Sequence, residues 1–244
     1  MNYHWDWGVF WHPLLDGTGN YMDSLLIGLQ WTVLTSLLAW LIALTIGSVL
    51  GVFRTTRSPL LIGIANTYVE IFRNIPLLMQ LFLWYFVMPE LLPKAWGDWV
   101  KQLPDSSFFT AVVGLGLYMA PRIAVQLAAG ISALPRGQRM AGEAMGLTAA
   151  QTYRYVLLPM AFRIIFPPLT TEFLNTIKNS SVAITVGLLE LTARARAMQE
   201  ETFQIFEAFI AAAVLYLLLN IAVTIFMRWI ERRLAVPGYI SGGH

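Results

Sequence analysis

The sequence has no cysteine, few charged residues and only three histidines, and each shortage excludes a class of site. Without cysteine there can be no disulfide, no thiolate metal site and no cysteine nucleophile. His4, His12 and His244 all lie near the ends, which argues against a histidine-dependent catalytic or zinc site inside a membrane. Only 12% of the 244 residues are charged and 57% are hydrophobic, whereas about 25% of a soluble domain is charged. The composition therefore predicts a membrane protein.

Five apolar stretches predict an all-α membrane protein with five transmembrane helices. These stretches are residues 25–53, 60–89, 108–133, 161–186 and 208–227. The whole chain, residues 1–244, is expected to form one transmembrane domain. In the second stretch, Pro76 predicts a break or bend in a helix that begins near Pro59. Residues 90–107 are expected to be a polar loop, and the Trp-rich start of the chain is typical of a segment in the membrane interface.

Lysine and arginine are distributed unevenly between the segments that connect these spans, and this distribution predicts the orientation of the chain. If the N-terminus lies outside, ten basic residues fall inside and four fall outside. The four outside are Lys94, Lys101, Arg194 and Arg196. The C-terminus and the polar run between the third and fourth spans are therefore expected in the cytoplasm.

That polar run, residues 135–158, predicts a helical hairpin. Gly146 suits the left-handed position that ends a helix. Thr148 followed by Gln151 fits a capping box that opens a second helix, which is expected to run to about residue 157. Pro159 is expected to end this second helix and to begin the fourth span.

One face of the hairpin carries small residues beside arginines. Ala141, Gly142 and Gly146 would let a partner surface approach closely, and Arg136 and Arg139 would meet acidic groups or lipid phosphates. This arrangement predicts a docking element through which a soluble partner moves the membrane spans. A plain interfacial hairpin without any partner explains the composition equally well.

The hairpin also resembles the EAA loop of bacterial ABC-importer permeases. The family pattern is EAA, three residues, G, nine residues, I, one residue and LP, and it fits residues 140–159 without a gap if Gly146 is its glycine. Two departures from the pattern matter, Met140 in place of the glutamate and Gly142 in place of the second alanine. The contacts of the family glutamate therefore cannot be carried over to Met140.

Further motifs resemble the polar amino-acid uptake branch of these permeases, in the same order along the chain. Residues 68–80 (YVEIFRNIPLLMQ) resemble its YVExFRNTPLLVQ signature, and residues 137–147 (GQRMAGEAMGL) resemble its GQxEAAxALGL run. Residues 168–181 resemble its pattern PLTNEFxxxxKxSSL. The resemblance covers about residues 25–233, and the Trp-rich start looks most like glutamate/aspartate permeases.

The resemblance implies the fold of a type I ABC importer permease, a multi-pass protein of the bacterial inner membrane whose hairpin is a cytoplasmic coupling helix and whose N-terminus is periplasmic. Its expected partners are a dimer of cytoplasmic ATP-binding subunits, a second permease subunit (homologous or identical), a periplasmic amino-acid-binding protein and the lipid bilayer, with no nucleic acid. The chain itself is expected to bind no cofactor, because it contains no GxxxxGK[ST] loop; ATP and Mg belong to the partner ATPase. The residues expected to couple to that ATPase are Arg136, Gln138, Arg139, Ala141, Gly142, Gly146 and Leu147.

Charged side chains within the spans are candidates for function, because each costs ~2.5–3.5 kcal/mol at the bilayer centre on insertion scales. Glu172, Asn175, Arg122 and Lys178 are expected to bind substrate. Glu172 and Asn175 share a helix face, and they suit the ammonium and the carboxylate of an amino acid. The guanidinium of Arg122 suits an acidic side chain, which it can bind with two hydrogen bonds. An ion-pair network that holds a permease dimer together is the alternative role for Arg122, Glu172 and Lys178.

The sequence therefore predicts the permease subunit of an importer for a polar, acidic amino acid rather than an enzyme. A permease for a neutral or basic amino acid is one alternative, and a non-transporting scaffold or channel subunit is another. A membrane enzyme would need a Ser–His pair or a carboxylate cluster at one depth, and the sequence shows neither. Glu70 and Arg73, near the cytoplasmic boundary, are expected to have a structural role, because they can pair with each other across one helical turn.

Overall fold

The structure is a computed structural model that describes residues 3–234, so the expectations for His244 and for the C-terminal tail lie outside the described residues. A short 3-10 turn, Trp7–Trp11, precedes the long helices. The helices are α1 Tyr21–Phe53, α2 Pro59–Asn74, α3 Leu77–Leu91, α4 Lys94–Gln102, α5 Ser106–Ser132, α6 Arg136–Ala144, α7 Ala149–Val186, α8 Leu191–Thr202 and α9 Ile205–Leu234. Helices α3 and α7 each contain a π-turn, and α7 ends in a 3-10 segment.

Within the described residues, α1, α5, α7 and α9 are long and apolar enough to cross a membrane. Helices α2 and α3 make a fifth span if they are counted as one bent pair, with a bend of 104° between them. Ile75 at this bend is extended (φ -99°, ψ 125°), as steric contact with a following proline requires. Pro76 has no N–H with which to continue α2. The break that the sequence predicts at Pro76 is therefore confirmed.

Two segments contain more helix than the sequence predicts. The expected polar loop at residues 90–107 contains α4, and the helix of the second hairpin arm continues through Pro159 instead of ending there. The π-turn Tyr153–Leu157 lies just before this proline, and the N–H of Leu158 donates to the carbonyl of Tyr153, five residues back. This wider turn makes room for the proline ring, which would otherwise strike the carbonyl four residues earlier, so the helix does not stop.

The described residues form two compact units, and each is assembled from three segments of the chain. The first consists of the residues up to Ala39, Pro76–Leu115 and Asn175–Ala222. The second consists of Trp40–Ile75, Gly116–Leu174 and the described residues from Val223 onward. The first unit thus contains α3, α4 and α8, the second contains α2 and α6, and the other helices contribute residues to both.

In the first unit, a fully buried carboxylate anchors the short helix α8. Glu190 is the N-cap of α8 and accepts hydrogen bonds from the backbone N–H groups of Thr192 and Ala193, each at 3.0 Å. The hydroxyl of Tyr216 on α9 donates to the same carboxylate at 2.6 Å, and that of Thr32 on α1 at 3.4 Å. Burial raises the pKa of Glu190, although these hydrogen bonds act to lower it. One side chain therefore connects α8 to both α1 and α9.

In the second unit, α1 and α5 pack closely because glycines face α5. Gly47 and Gly51 lie four residues apart, and a Cβ on Gly47 would be 2.7 Å from the carbonyl oxygen of Ala120. A Cβ on Gly51 would be 2.9 Å from the Cβ of Leu127. Small residues at this spacing let two membrane helices approach closely. The contact fixes the position of α5, the helix that carries Arg122.

Candidate functional site

One cavity of the second unit brings together charged side chains from three helices. It is partly open and has a volume of about 340 Å³, which lies in the range of sites for small molecules. It is lined by Phe72 and Arg73 of α2, Tyr118, Arg122, Val125 and Gln126 of α5, and Glu172 of α7. Two of the predicted substrate residues, Arg122 and Glu172, therefore line the same cavity.

A proline inside α5 helps to hold the wall of this cavity in place. Pro121 has no N–H to bond the carbonyl of Leu117, which a regular α-helix would satisfy. The hydroxyl of Tyr68 on α2 donates to that carbonyl at 3.0 Å. An unpaired carbonyl away from water is costly, so this bond both satisfies α5 and holds α2 against it. Arg73 lies near the end of α2 that this contact positions.

Arg122 interacts with side chains of its own helix. Its Nη2 donates to the hydroxyl of Tyr118 at 3.0 Å, and its guanidinium carbon lies 4.6 Å from the centre of the same ring. Its Nη1 lies 3.3 Å from the sulfur of Met119. In the part of the chain that the structure describes, the ion pairs do not include Arg122. An aromatic ring stabilises the charge, and the five donors of a guanidinium leave some for a carboxylate ligand.

Glu172 is oriented by an amide on the neighbouring helix. The Nε2 of Gln126 donates to the Oε1 of Glu172 at 2.9 Å. The Oε1 of Gln126 is buried and has no hydrogen-bond partner among residues 3–234. A buried acceptor without a partner costs about 1–3 kcal/mol. An ammonium group is a donor that suits the carboxylate of Glu172.

Arg73 belongs to the cavity, which the sequence did not predict. Glu70 and Arg73 do not form the ion pair that their spacing allows, because neither residue is in an ion pair of the described chain. Arg73 instead lines the cavity together with Arg122. Two guanidinium groups and the one carboxylate of Glu172 give the lining a formal net charge of +1 (2 − 1). A cavity lined mainly by positive charge favours an anionic ligand.

The other two predicted substrate residues lie outside this cavity. Asn175 and Lys178 belong to the first unit, in the last turns of the α-helical part of α7, and neither is among the lining residues. Lys178 is exposed, and Asn175 is half-buried. Their part in substrate binding stays a prediction.

Three of the cavity residues share a spacing that the sequence displays. Tyr118, Arg122 and Gln126 are four residues apart on α5, so their side chains lie on one helix face. A polar stripe at this spacing, in a span that is otherwise apolar, is a signal that would have identified Tyr118 and Gln126. Phe72 and Val125 offer no such signal, because apolar residues fill all the spans.

The predicted hairpin consists of α6 and the first turns of α7, which are joined at a left-handed glycine. Gly146 has φ +77°, and the N–H of Leu147 donates to the carbonyl of Gly142 at 3.1 Å. This bond belongs to a Schellman motif, in which a left-handed residue ends the helix. Thr148 and Gln151 form the predicted capping box. Both local predictions for this joint are therefore confirmed.

The exposed face of the hairpin carries small and apolar residues. Met140 and Met145 are 62% and 74% exposed, and Ala141 between them is exposed as well. A Cβ on Gly146 would meet no atom within 4 Å, so the surface there is open.

Gly142 does not belong to this face, which corrects the contact surface expected from the sequence. It is buried, and a Cβ there would lie 2.9 Å from the Cγ2 of Thr152. Its lack of a side chain lets the two arms of the hairpin pack against each other.

The remaining predicted coupling residues differ in exposure. Arg136 is exposed, and Gln138, Arg139 and Leu147 are half-buried. Glu143, three residues after Met140, supplies an acidic group in the same helix. Its carboxylate lies 3.9 Å from the guanidinium of Arg139.

The sequence is similar to membrane transport proteins over nearly its whole length. The sequence model of the family described as "Binding-protein-dependent transport system inner membrane component" matches residues 43–236. The glutamate/aspartate import permease protein GltJ of Escherichia coli (strain K12) is 41% identical over 245 residues, which are 99% of this chain and 100% of that protein. The probable glutamine ABC transporter permease protein GlnM of Bacillus subtilis (strain 168) is 34% identical, over 91% of this chain and 96% of its own.

Solved structures share the arrangement of helices. The crystal structure of an amino acid ABC transporter with histidines superposes with a TM-score of 0.72 and 28% identity, over 87% of this chain and 95% of that chain. An inward-facing structure of the MetNI methionine ABC transporter superposes with a TM-score of 0.68 and 21% identity, over 88% and 96% of the two chains. The second likeness shows the fold alone. The all-α membrane fold that the sequence predicts is confirmed.

Proposed function

The chain belongs to the family of binding-protein-dependent transport system inner membrane components, with the fold of a type I ABC importer permease, and we propose that it imports acidic amino acids such as glutamate and aspartate. The observation that carries this substrate is the charge of the cavity, with Arg73, Arg122 and Glu172 in its lining. At neutral pH an acidic amino acid has two carboxylates and one ammonium. The lining offers one guanidinium to each of the two carboxylates and one carboxylate to the ammonium.

The geometry of the cavity suggests how such a substrate binds. Its ammonium group binds the carboxylate of Glu172, which the amide of Gln126 holds in place. Its two carboxylates lie against Arg122 and Arg73, whose guanidinium groups bind carboxylates with paired hydrogen bonds. Tyr118 holds Arg122 through its hydroxyl and its ring. The guanidinium is therefore already ordered before substrate binds, which lowers the entropy cost of binding.

A second permease subunit completes the transport path. The cavity is charged and partly open, and it lies in helices that cross the membrane. Charged side chains facing hydrocarbon are costly, so the open side is covered by protein or by a water-filled path. A second copy of this chain or a homologous permease supplies that cover.

The hairpin is the element on which the ATPase acts. Its small, apolar and exposed face around Met140, Ala141 and Gly146 seats in a cytoplasmic ATP-binding subunit, with Arg136 beside it. ATP and Mg are bound by that subunit, and a periplasmic binding protein delivers the amino acid to the opposite face. When ATP binding closes the ATPase dimer, the hairpin moves and α5 and α7 move with it. In this arrangement the N-terminus is periplasmic and the C-terminus is cytoplasmic.

The substrate proposal is tested by removing the charge of Arg122. In proteoliposomes with the complete importer, Arg122→Ala is expected to lower the uptake of labelled glutamate by about 10- to 100-fold, because a hydrogen bond to a charged group contributes ~1.5–3 kcal/mol. Uptake of glutamine, which has no side-chain charge, is expected to fall much less. Arg163→Ala is the matched control, since it removes the same charge from an exposed position of α7 that does not line the cavity.

An equal loss of glutamate and glutamine uptake in Arg122→Ala would assign Arg122 to structure and would contradict the proposal. Arg122→Lys separates charge from geometry, because lysine keeps the positive charge but cannot bind a carboxylate with a planar pair of donors. Partial recovery of glutamate uptake in that variant is the result that the proposed binding mode requires.

A further inference from the structure

We propose that Tyr153 is a positioning residue that connects the coupling hairpin to the end of α1, so that the hairpin moves α1 together with α5 and α7. The inference rests on the proposed function, in which an ATPase moves the hairpin. It adds α1 to the moving parts, although α1 is separated from the hairpin by about eighty residues of sequence.

The connection is a hydrogen bond from a buried tyrosine. Tyr153 is 7% exposed at the beginning of the π-turn in α7. Its hydroxyl donates to the backbone carbonyl of Thr55 at 2.7 Å and lies 3.0 Å from the hydroxyl of the same residue. Thr55 is in the turn that follows α1. A backbone carbonyl away from water needs a donor, and the tyrosine hydroxyl supplies one to Thr55.

The first arm of the hairpin reaches the same turn. The guanidinium carbon of Arg139 lies 5.5 Å from the centre of the Tyr153 ring, and its Nη2 lies 3.5 Å from the tyrosine hydroxyl. Glu143 pairs at 3.4 Å with Arg57, two residues after Thr55. Their side chains are 46% and 79% exposed, and such exposed pairs contribute little. The buried tyrosine is therefore the firmer of the two connections.

The contact is suited to transmit movement. The tyrosine ring has only two rotatable side-chain bonds and is confined by burial, so the hairpin cannot shift far without moving Thr55 or breaking the bond. At its other end the movement reaches the cavity, because Gly47 and Gly51 pack α1 directly against α5. Helix α5 carries Arg122 and Gln126. A physical claim of coupling needs an element with two positions that both sites influence, and the proposal gives α1 that role.

The test removes the hydroxyl and keeps the ring. In proteoliposomes with the complete importer, Tyr153→Phe is expected to lower the number of amino acids imported per ATP hydrolysed by about three- to tenfold, the effect of losing one hydrogen bond. Tyr155→Phe is the matched control, because Tyr155 is in the same π-turn but is 61% exposed. Equal import per ATP in Tyr153→Phe and the control would overturn the inference. A merely structural role would lower the yield of complex without changing this ratio.

A second measurement decides the question even if Tyr153→Phe assembles poorly. Because the chain has no cysteine of its own, the variants Val49→Cys on α1 and Ala150→Cys on the hairpin let spin labels react at these two chosen positions of the chain. In the otherwise wild-type importer, diluted with unlabelled permease, the distance between the labels is expected to stay constant when ATP is bound. A change of several ångströms would show that the hairpin moves without α1 and would overturn the inference. An importer without ATP-driven uptake in any variant would instead contradict the proposed function.

Discussion

Inside the long apolar helix α5, Arg122 is contacted by Tyr118, one turn earlier on the same face, through the hydroxyl and the aromatic ring of the tyrosine. Glu172 is held in a similar way by the amide of Gln126. Neither residue depends on the other as a counter-ion, since Arg122 is in no ion pair of the described chain. The guanidinium of Arg122 and the carboxylate of Glu172 line one cavity without pairing with each other. Each can therefore bind the oppositely charged group of a zwitterionic ligand.

Glu190 is a buried residue of the first unit whose ionisation affects stability. Burial raises its pKa above the ordinary 4.5, so the folded protein holds a proton over a range of pH in which the unfolded chain has lost it. The free energy of unfolding therefore falls as the pH rises from about 4.5 through this range. Glu190→Gln cannot ionise, and its thermal unfolding in detergent is expected to lack this dependence on pH.

The matched control for Glu190→Gln is Glu200→Gln. Glu200 is also in α8, but its side chain is 58% exposed and paired with Arg196 at 2.8 Å. This control is expected to keep the pH dependence of the wild type. Unfolding midpoints of Glu190→Gln that run parallel to the wild type at every pH would show that Glu190 does not cause the dependence.

At the scale of elements, π-turns allow two helices to continue past proline. Pro89 is the second residue after the π-turn Leu83–Val87, and Pro159 is the second residue after the π-turn Tyr153–Leu157. In each case the N–H just before the proline donates to a carbonyl five residues back. The second arm of the hairpin is thereby continuous with a helix long and apolar enough to span the membrane, which suits the lever proposed for it.

The joint between the arms of this lever depends on the conformation of a single residue. Gly146→Ala places a side chain at φ +77°, which costs about 1 kcal/mol, and it is expected to lower uptake per ATP without loss of membrane insertion. Gly137→Ala is the matched control. A Cβ at either position meets no atom within 4 Å, but Gly137 lies within helix α6, where alanine is favoured by up to about 1 kcal/mol.

The comparison of these two alanine variants separates strain from contact. If Gly146→Ala and Gly137→Ala both keep the uptake per ATP of the wild type, the left-handed joint is not needed for coupling. If both lose it equally, the added methyl group obstructs the partner surface, and the backbone conformation is not the cause.

At the scale of the whole molecule, the distribution of charge and of exposed apolar residues describes a protein of the membrane. Helix α9 leaves large apolar side chains exposed, among them Leu217, Leu218 and Ile225, as expected for a helix that faces lipid. Trp5 and Trp11 near the N-terminus are 55% and 69% exposed, which is typical of side chains at the membrane interface.

The absence of cysteine makes the orientation of the chain directly measurable. A cysteine in place of Thr18, which is exposed near the N-terminus, is expected to react with a membrane-impermeant maleimide on intact spheroplasts. A cysteine in place of the exposed Ala150 of the hairpin is expected to react only after the membrane is made permeable. The opposite pattern would invert the proposed topology and would remove the hairpin from reach of a cytoplasmic ATPase.

The sequence by itself determined the features that depend on neighbouring residues. A run of about twenty apolar residues spans a bilayer wherever it occurs, a glycine after a short helix takes the left-handed conformation, and threonine three residues before glutamine forms a cap. The spans, Gly146 and the box of Thr148 with Gln151 were therefore predictable.

Only the tertiary structure decided which distant residues meet. Arg73 lines the cavity and Lys178 does not, because membership depends on how α2, α5 and α7 pack, and side chains far apart in sequence determine that packing. For the same reason Gly142 is buried against Thr152, and Tyr153 reaches the turn after α1. Helical spacing reveals which residues share a face, but the neighbour of that face is set by the whole fold.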